Sequence, residues 1–245
     1  MHTIMFHCAK DLTQTNMRAT GFGTRRLNLM DKRIESAKAL EAQGDIIRAL
    51  CIYRDAYQQD PGHLEAIEGI AQTALALGNL ELAFEFFVKM LILDHQNPAG
   101  YIGRANVLFQ YGQTDRALSD LARAISLDEP PSELRIDCAA VLNDNGFTDI
   151  ALKTLRPIRK QCLDITDFQC EWAFALLVQN KTDHEDLARI LDHFRQNEAD
   201  DPFYTLCLDA FDLKTGRCDT LTHLETVLAA APELEARAAL IAPMP

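Results

Sequence analysis

Glycines fall at Gly44, Gly78, Gly112 and Gly146, each 34 residues after the one before, in a chain that has only 11 glycines in all. A fixed period is the signature of a repeat architecture, in which each repeat buries its apolar face against its neighbours. Two alanine columns keep the same step. Ala37, Ala71, Ala105 and Ala139 stand before the glycines, and Ala49, Ala83, Ala117 and Ala151 stand after them.

Each column has a physical reading. Glycine lacks a Cβ and so tolerates the left-handed conformation just past a helix C-terminus, which ends one helix. Asp45, Asn79 or Asp115 follows closely, a side chain suited to capping the next helix. The alanines mark places where two helix backbones approach too closely for a larger side chain. Leu40, Leu108 and Leu142 on the first helices, and Tyr53, Phe87, Leu121 and Leu155 on the second, fill the remaining interior. Pro61, Pro98, Pro130 and Pro131 punctuate the junctions between units.

The helix, tight turn, helix unit of 34 residues closely resembles the tetratricopeptide repeat. Residues 30–63, 64–97, 98–131 and 132–165 carry the pattern with small departures. Arg33, Ile67 and Arg135 stand where the family often has an aromatic residue, which only Tyr101 supplies. Arg104 stands at a column that is usually a buried leucine, so it must find a carboxylate or carbonyls, or the helix must rotate to release it. An internal salt bridge is expected, with a ligand-anchoring role as the alternative. Pro157 lies inside a second helix and predicts a kink or an early end.

Beyond residue 165 the register loosens. Residues 166–201 read as a fifth pair, with helices over Asp167 to Val178 and His184 to Asn197 and a longer turn at Lys181, Thr182 and Asp183. Residues 202–232 read as a sixth, opening at Pro202 and turning at Gly216. Glu233 to Ala242 reads as a last helix that covers the end of the stack, with residues 233–245 as cap and tail. The resemblance implies an all-α, right-handed superhelical solenoid of about six repeats with a C-terminal capping helix.

Charge divides the chain. Lys10, Arg18, Arg25 and Arg26 face Asp11 alone in residues 1–29, which read as a basic, flexible arm. Against this, the whole chain has 24 basic and 36 acidic residues and a net charge of −12. Such a balance repels nucleic-acid backbones. The apolar runs are too short for a membrane span of ~20 residues. Seven scattered cysteines without a C-x-x-C pair argue for a reducing, cytoplasmic setting rather than a disulfide framework or a zinc site.

No catalytic constellation emerges from the sequence. Gly21, Phe22 and Gly23 begin a G-x-G, but Arg26 replaces the third glycine. His2, His7 and Cys8 lack a fourth metal ligand. Asp183, His184, Glu185 and Asp186 cluster at a helix start, where capping and the helix dipole explain them. The chain is therefore expected to be no enzyme, with no cofactor and no metal.

In the resembled family the first helices line a groove that binds a peptide or helix of a partner protein. Residues picked for that groove by period, on the side of the first helices away from the Ala37-type column, are Ile34, Lys38, Glu68, Gln72, Ile102, Asn106, Phe109, Ile136, Asn143, Phe174 and Leu177. Some family members clamp a C-terminal carboxylate with Lys, Asn and Arg, and only Lys38 and Asn106 offer anything similar. A partner with apolar anchors and basic residues fits better, complemented by Glu35, Glu65, Glu68, Glu133 and Asp137. The function expected is that of a scaffold or adaptor. The alternative is a structural protein that self-associates through exposed solenoid ends.

Overall fold

A computed structural model describes residues 21–127, 130–197 and 201–241. Among them every regular element is helical. The chain separates into two compact units that divide between Glu129 and Pro130. The division lies inside the regular repeats, not at residue 165 where the register loosens.

The N-terminal unit consists of α1 (Gly21–Ala42), α2 (Ile46–Gln59), α3 (Leu64–Ala76), α4 (Leu80–Leu93), α5 (Pro98–Gln110) and α6 (Thr114–Ile125). Each helix packs against the next in the chain, and α1, α3 and α5 also touch one another in order. The first helix starts at Gly21, so residues 21–29, expected in the arm, are helical. That stretch has no proline to stop a helix. Residues 1–20 of the arm, with His2, His7 and Cys8, lie outside the described residues.

The C-terminal unit consists of α7 (Ser132–Asp144), α8 (Thr148–Leu155), a short 3-10 turn (Arg156–Ile158), α9 (Arg159–Cys162), α10 (Thr166–Val178), α11 (Glu185–Asn197), α12 (Pro202–Lys214), α13 (Leu224–Ala230), a second 3-10 turn (Pro232–Leu234) and α14 (Glu235–Ile241). Pro157 ends α8 early and imposes the 3-10 turn, as its missing N–H requires. The first helices α7, α10 and α12 again neighbour one another.

One cap recurs throughout. Gly44 donates to the Glu41 carbonyl at 2.9 Å and Asp45 to the Leu40 carbonyl at 2.9 Å, the paired bonds of a Schellman motif. The same pair of bonds closes α3 at Gly78, α5 at Gly112, α7 at Gly146 and α12 at Gly216, all with positive φ. It also closes α10, where Asn180 takes the left-handed conformation at φ 53°. Asn180 stands 34 residues after Gly146, so the glycine column continues into the fifth pair in another residue type.

The caps at the other ends vary. Asp45 accepts from the Arg48 N–H at 3.3 Å and Asn79 from the Leu82 N–H at 3.2 Å. Asp115 does not play this part, because α6 starts at Thr114, in register with α2 and α4, and puts Gln113 at the cap position, where its side chain makes no capping bond. Both alanine columns are fully buried, with Tyr53, Phe87, Leu121 and Leu155 packed among them. Two close approaches belong to a column that the glycine period conceals. A Cβ on Gly69 would lie 2.5 Å from the Tyr53 ring, and one on Gly103 would lie 2.1 Å from the Phe87 ring. Each aromatic ring of a second helix therefore rests directly on the backbone of the following first helix.

Candidate functional site

On the first helices of the N-terminal unit, the residue after each buried alanine reaches the surface. Lys38 is exposed, and Gln72 and Asn106 are half-buried. Lys38 Nζ donates to Glu65 Oε2 at 2.9 Å and lies 3.7 Å from Glu35 Oε1, which ties α1 to α3. Burial alone would lower the Lys38 pKa. The bond to Glu65 and the charges of Glu65, Glu35 and Glu68 outweigh it, and the pKa is raised. This lysine is committed to carboxylates of its own chain.

Behind it lies a second layer of acids. Glu68 Oε1 accepts from Gln72 Nε2 at 3.1 Å. Burial and the Glu65 carboxylate push the Glu68 pKa up to about 7, against the opposing pull of Lys38. Glu41 Oε2 accepts from the Tyr53 hydroxyl at 2.5 Å, and burial raises its pKa as well. One ammonium thus serves Glu35, Glu41, Glu65 and Glu68. The surface has an unmet demand for positive charge.

The structure separates the predicted groove residues into two sets. Lys38, Glu68, Gln72 and Asn106 all reach the surface, on α1, α3 and α5. Ile34, Ile102, Phe109, Ile136, Asn143, Phe174 and Leu177 are buried and do not line an open groove. Ile34, Ile102 and Ile136 fall three residues before the alanines, on a side of the first helix that packing against neighbours covers. A first helix here is enclosed by its own second helix and by the adjoining pair, which leaves a narrower accessible stripe than a simple opposite-face rule assigns.

In the C-terminal unit that stripe is covered by the chain itself. The positions equivalent to Lys38, Gln72 and Asn106 are Ala140 and Phe174, both buried. Helix α14 packs against α7 and α10. Its Arg237 donates from Nε to Asp144 Oδ1 at 2.6 Å and from a terminal nitrogen to Glu171 Oε1 at 3.0 Å. The guanidinium lies 5.0 Å from the Phe174 ring centre and 5.3 Å from that of Phe203. Glu171 Oε2 in turn accepts from Asn143 Nδ2 at 2.8 Å. Ala238 and Ile241 are buried, and Leu240 comes close to Gly146. The last helix, expected to cover the end of the stack, therefore lies across the first helices. The signal that could have shown this is Arg237 itself, a lone cation among Ala236, Ala238, Ala239, Leu240 and Ile241.

Carboxylates flank this region too. Burial, with the charges of Asp167, Glu133 and Glu171, pushes the Asp137 pKa up to about 7. Glu171 is raised chiefly by burial, partly offset by Arg237.

The remaining charged oddities are structural. Arg104 makes a two-pronged pair with Asp120 on α6, at 2.7 and 2.8 Å, and lies over the Tyr101 ring. Asp186, in the acidic cluster at the start of α11, receives Arg159 and the Trp172 indole N–H, the latter at 3.0 Å. Burial would raise the Asp186 pKa, but the bonds from Arg159 and Trp172 hold it below the usual value. His184 Nδ1 accepts from the Asp186 N–H at 3.2 Å, so the cluster works as a cap and an anchor for the segment after Pro157. Among the described residues no helix is long and apolar enough to cross a membrane.

The model of the tetratricopeptide repeat family matches residues 40–107. No curated protein matches the sequence. The fold is similar to that of pilF from Pseudomonas aeruginosa, at 17% identity over 84% of this chain and 94% of that one, with a TM-score of 0.61. It is also similar to PilW, described as a widely conserved type IV pilus biogenesis factor, at 14% identity over 87% and 98% of the two chains and a TM-score of 0.63. A thermophilic repeat protein of the same kind from Thermus thermophilus is 21% identical over 73% of this chain and 98% of its own, with a TM-score of 0.59. At these identities the likeness is one of fold.

Proposed function

Since the chain is a tetratricopeptide repeat protein, and such proteins generally serve as protein-interaction scaffolds, we propose that it is a scaffold or adaptor whose N-terminal unit binds a basic segment of a partner protein. The observation that carries this reading is the cluster of Glu35, Glu41, Glu65 and Glu68 around the single Lys38 on adjoining first helices. Gln72, bonded to Glu68, and Asn106 on the next first helix offer amide donors and acceptors for an extended or helical backbone. A lysine or arginine entering this surface would meet carboxylates that are short of cations. The role is one of binding and not of catalysis. Cys51, Cys138, Cys162, Cys170, Cys207 and Cys218 are all free thiols, which supports a reducing, cytoplasmic setting.

The test is affinity capture from the native lysate with the intact chain and with a Glu65→Lys plus Glu68→Lys variant of matched circular dichroism. Loss of a captured protein from the variant, with its affinity for the intact chain falling as salt rises, supports the reading. Equal capture by both chains removes it. A mass that rises with concentration in light scattering, and no captured partner, would favour self-association instead.

A further inference from the structure

The C-terminal unit presents a different surface, and its own chain is seated on it. Helix α14 has seven residues and lies against the first helices α7 and α10. Its contact is arginine-centred. Arg237 reaches Asp144 at the end of α7 and Glu171 in α10, and its guanidinium rests against the adjoining rings of Phe174 and Phe203. Three first helices thus supply one socket: α7 the Asp144 carboxylate, α10 the Glu171 carboxylate and the Phe174 face, α12 the Phe203 face. Asn143 Nδ2 holds the other Glu171 oxygen, fixing the carboxylate that Arg237 receives.

The rest of the contact is small. Ala238 and Ile241 are buried one residue and one turn beyond Arg237, while Glu235, Ala236 and Ala239 are exposed. A helix this short has no stability of its own and holds its shape only while seated. Arginine, with a fixed fork of donors and a flat face that stacks on rings, suits a socket made of two carboxylates and two aromatic faces. The same stripe in the N-terminal unit, at Lys38, Gln72 and Asn106, is accessible. What covers the C-terminal stripe is α14.

We infer that the inner face of α7, α10 and α12 is a receptor for an arginine-bearing amphipathic helix, occupied in cis by α14, and that a partner helix with an arginine followed by an apolar residue one turn later displaces α14 to bind there. The tether gives α14 a high effective concentration, so the socket is closed to weak competitors and open to strong ones. The inference extends to the second unit the scaffold reading of the first, but it rests on residues of its own.

The probe is a fluorescein-labelled peptide of residues 230–241, followed by anisotropy with the full chain and its Arg237→Ala variant. Removing the arginine frees the socket, so the variant binds the peptide at least tenfold more tightly than the unaltered chain does. A peptide carrying Arg237→Glu binds neither. Equal affinity for both chains, when both fold, overturns the inference. Should Arg237→Ala fail to fold, hydrogen exchange on the unaltered chain decides. Exchange of the α14 amides much faster than those of α10 supports a helix that leaves on its own. Exchange of both at the rate of global unfolding overturns it. The Glu65→Lys plus Glu68→Lys chain binds the peptide as the unaltered chain does, so failure of the N-terminal reading is told apart from failure here.

Discussion

Replacing Arg104 with leucine tests whether a charge at an apolar column is there for structure. The guanidinium makes two bonds to Asp120, at 2.7 and 2.8 Å, with side-chain exposures of 25% and 12%. Removing one partner of a buried pair costs about 3–5 kcal/mol, because the other charge is left without compensation. The residual exposure of both groups lets water share that penalty, which brings the expected loss to about 2–3 kcal/mol. The Tyr101 contact contributes a smaller part, about 0.5–1 kcal/mol at an exposed ring. Leucine at both positions removes the stranded carboxylate and restores apolar packing between α5 and α6. The Arg104→Leu plus Asp120→Leu chain is therefore expected within about 1 kcal/mol of the original. Urea unfolding followed by circular dichroism reads both values, and the single variant should also melt roughly 5–10 °C lower. A double variant no more stable than the single one would refute the reasoning, because the loss would then not come from the uncompensated Asp120. Partner capture by the double variant should be unchanged.

Gly69→Ala places a Cβ 2.5 Å from the Tyr53 ring and should cost about 1–3 kcal/mol by thermal melting, with much of it recovered when Tyr53→Leu is added. Asn180→Ala should lower stability by about 1 kcal/mol through the left-handed backbone at φ 53°, while Asn180→Gly should not, as read from Trp172 fluorescence in the same unit. The Glu68 carboxyl titrates near 7 when folded and near the ordinary value when unfolded, so the folded state holds the extra proton between those limits. Stability should fall as pH rises from about 4.5 to 7. Glu68→Gln should flatten that slope and gain about 1–2 kcal/mol at pH 8, after allowance for partial exposure. An unchanged slope would show that Glu68 is not the group responsible.

Much of the architecture could be read from single residue types at fixed spacing. Gly44 and its successors, and the eight alanines, identify helix ends and close contacts because only small residues satisfy those geometries. Pro157 announced the break after α8 for an equally local reason. Features that depend on what lies across the fold were hidden. Asn180 does the work of a glycine under another name. Gly69 and Gly103 matter because of Tyr53 and Phe87, which belong to the preceding helix. The accessible stripe was only half legible: Lys38, Gln72 and Asn106 lie on it, whereas Ile34, Ile102 and Ile136 are one turn away and enclosed by neighbours. Phe174 is met by Arg237 of α14, a helix more than sixty residues further on, and no local pattern shows where such a helix docks.

The ion pair of Arg237 with Asp144 joins residues 93 apart in the chain. In the N-terminal unit each helix packs against the next and each first helix also touches the first helix of the adjoining pair, so its contacts complete once the next two helices are made. The inner face of the C-terminal unit keeps a different timetable. During synthesis, at about 5–20 residues per second, α7 and α10 can pair while α14 is still unmade or inside the ribosome. A partner helix present at that moment meets the socket before its resident does, and binds without having to displace it. Assembly during translation and assembly afterwards would then differ in rate for the same two proteins.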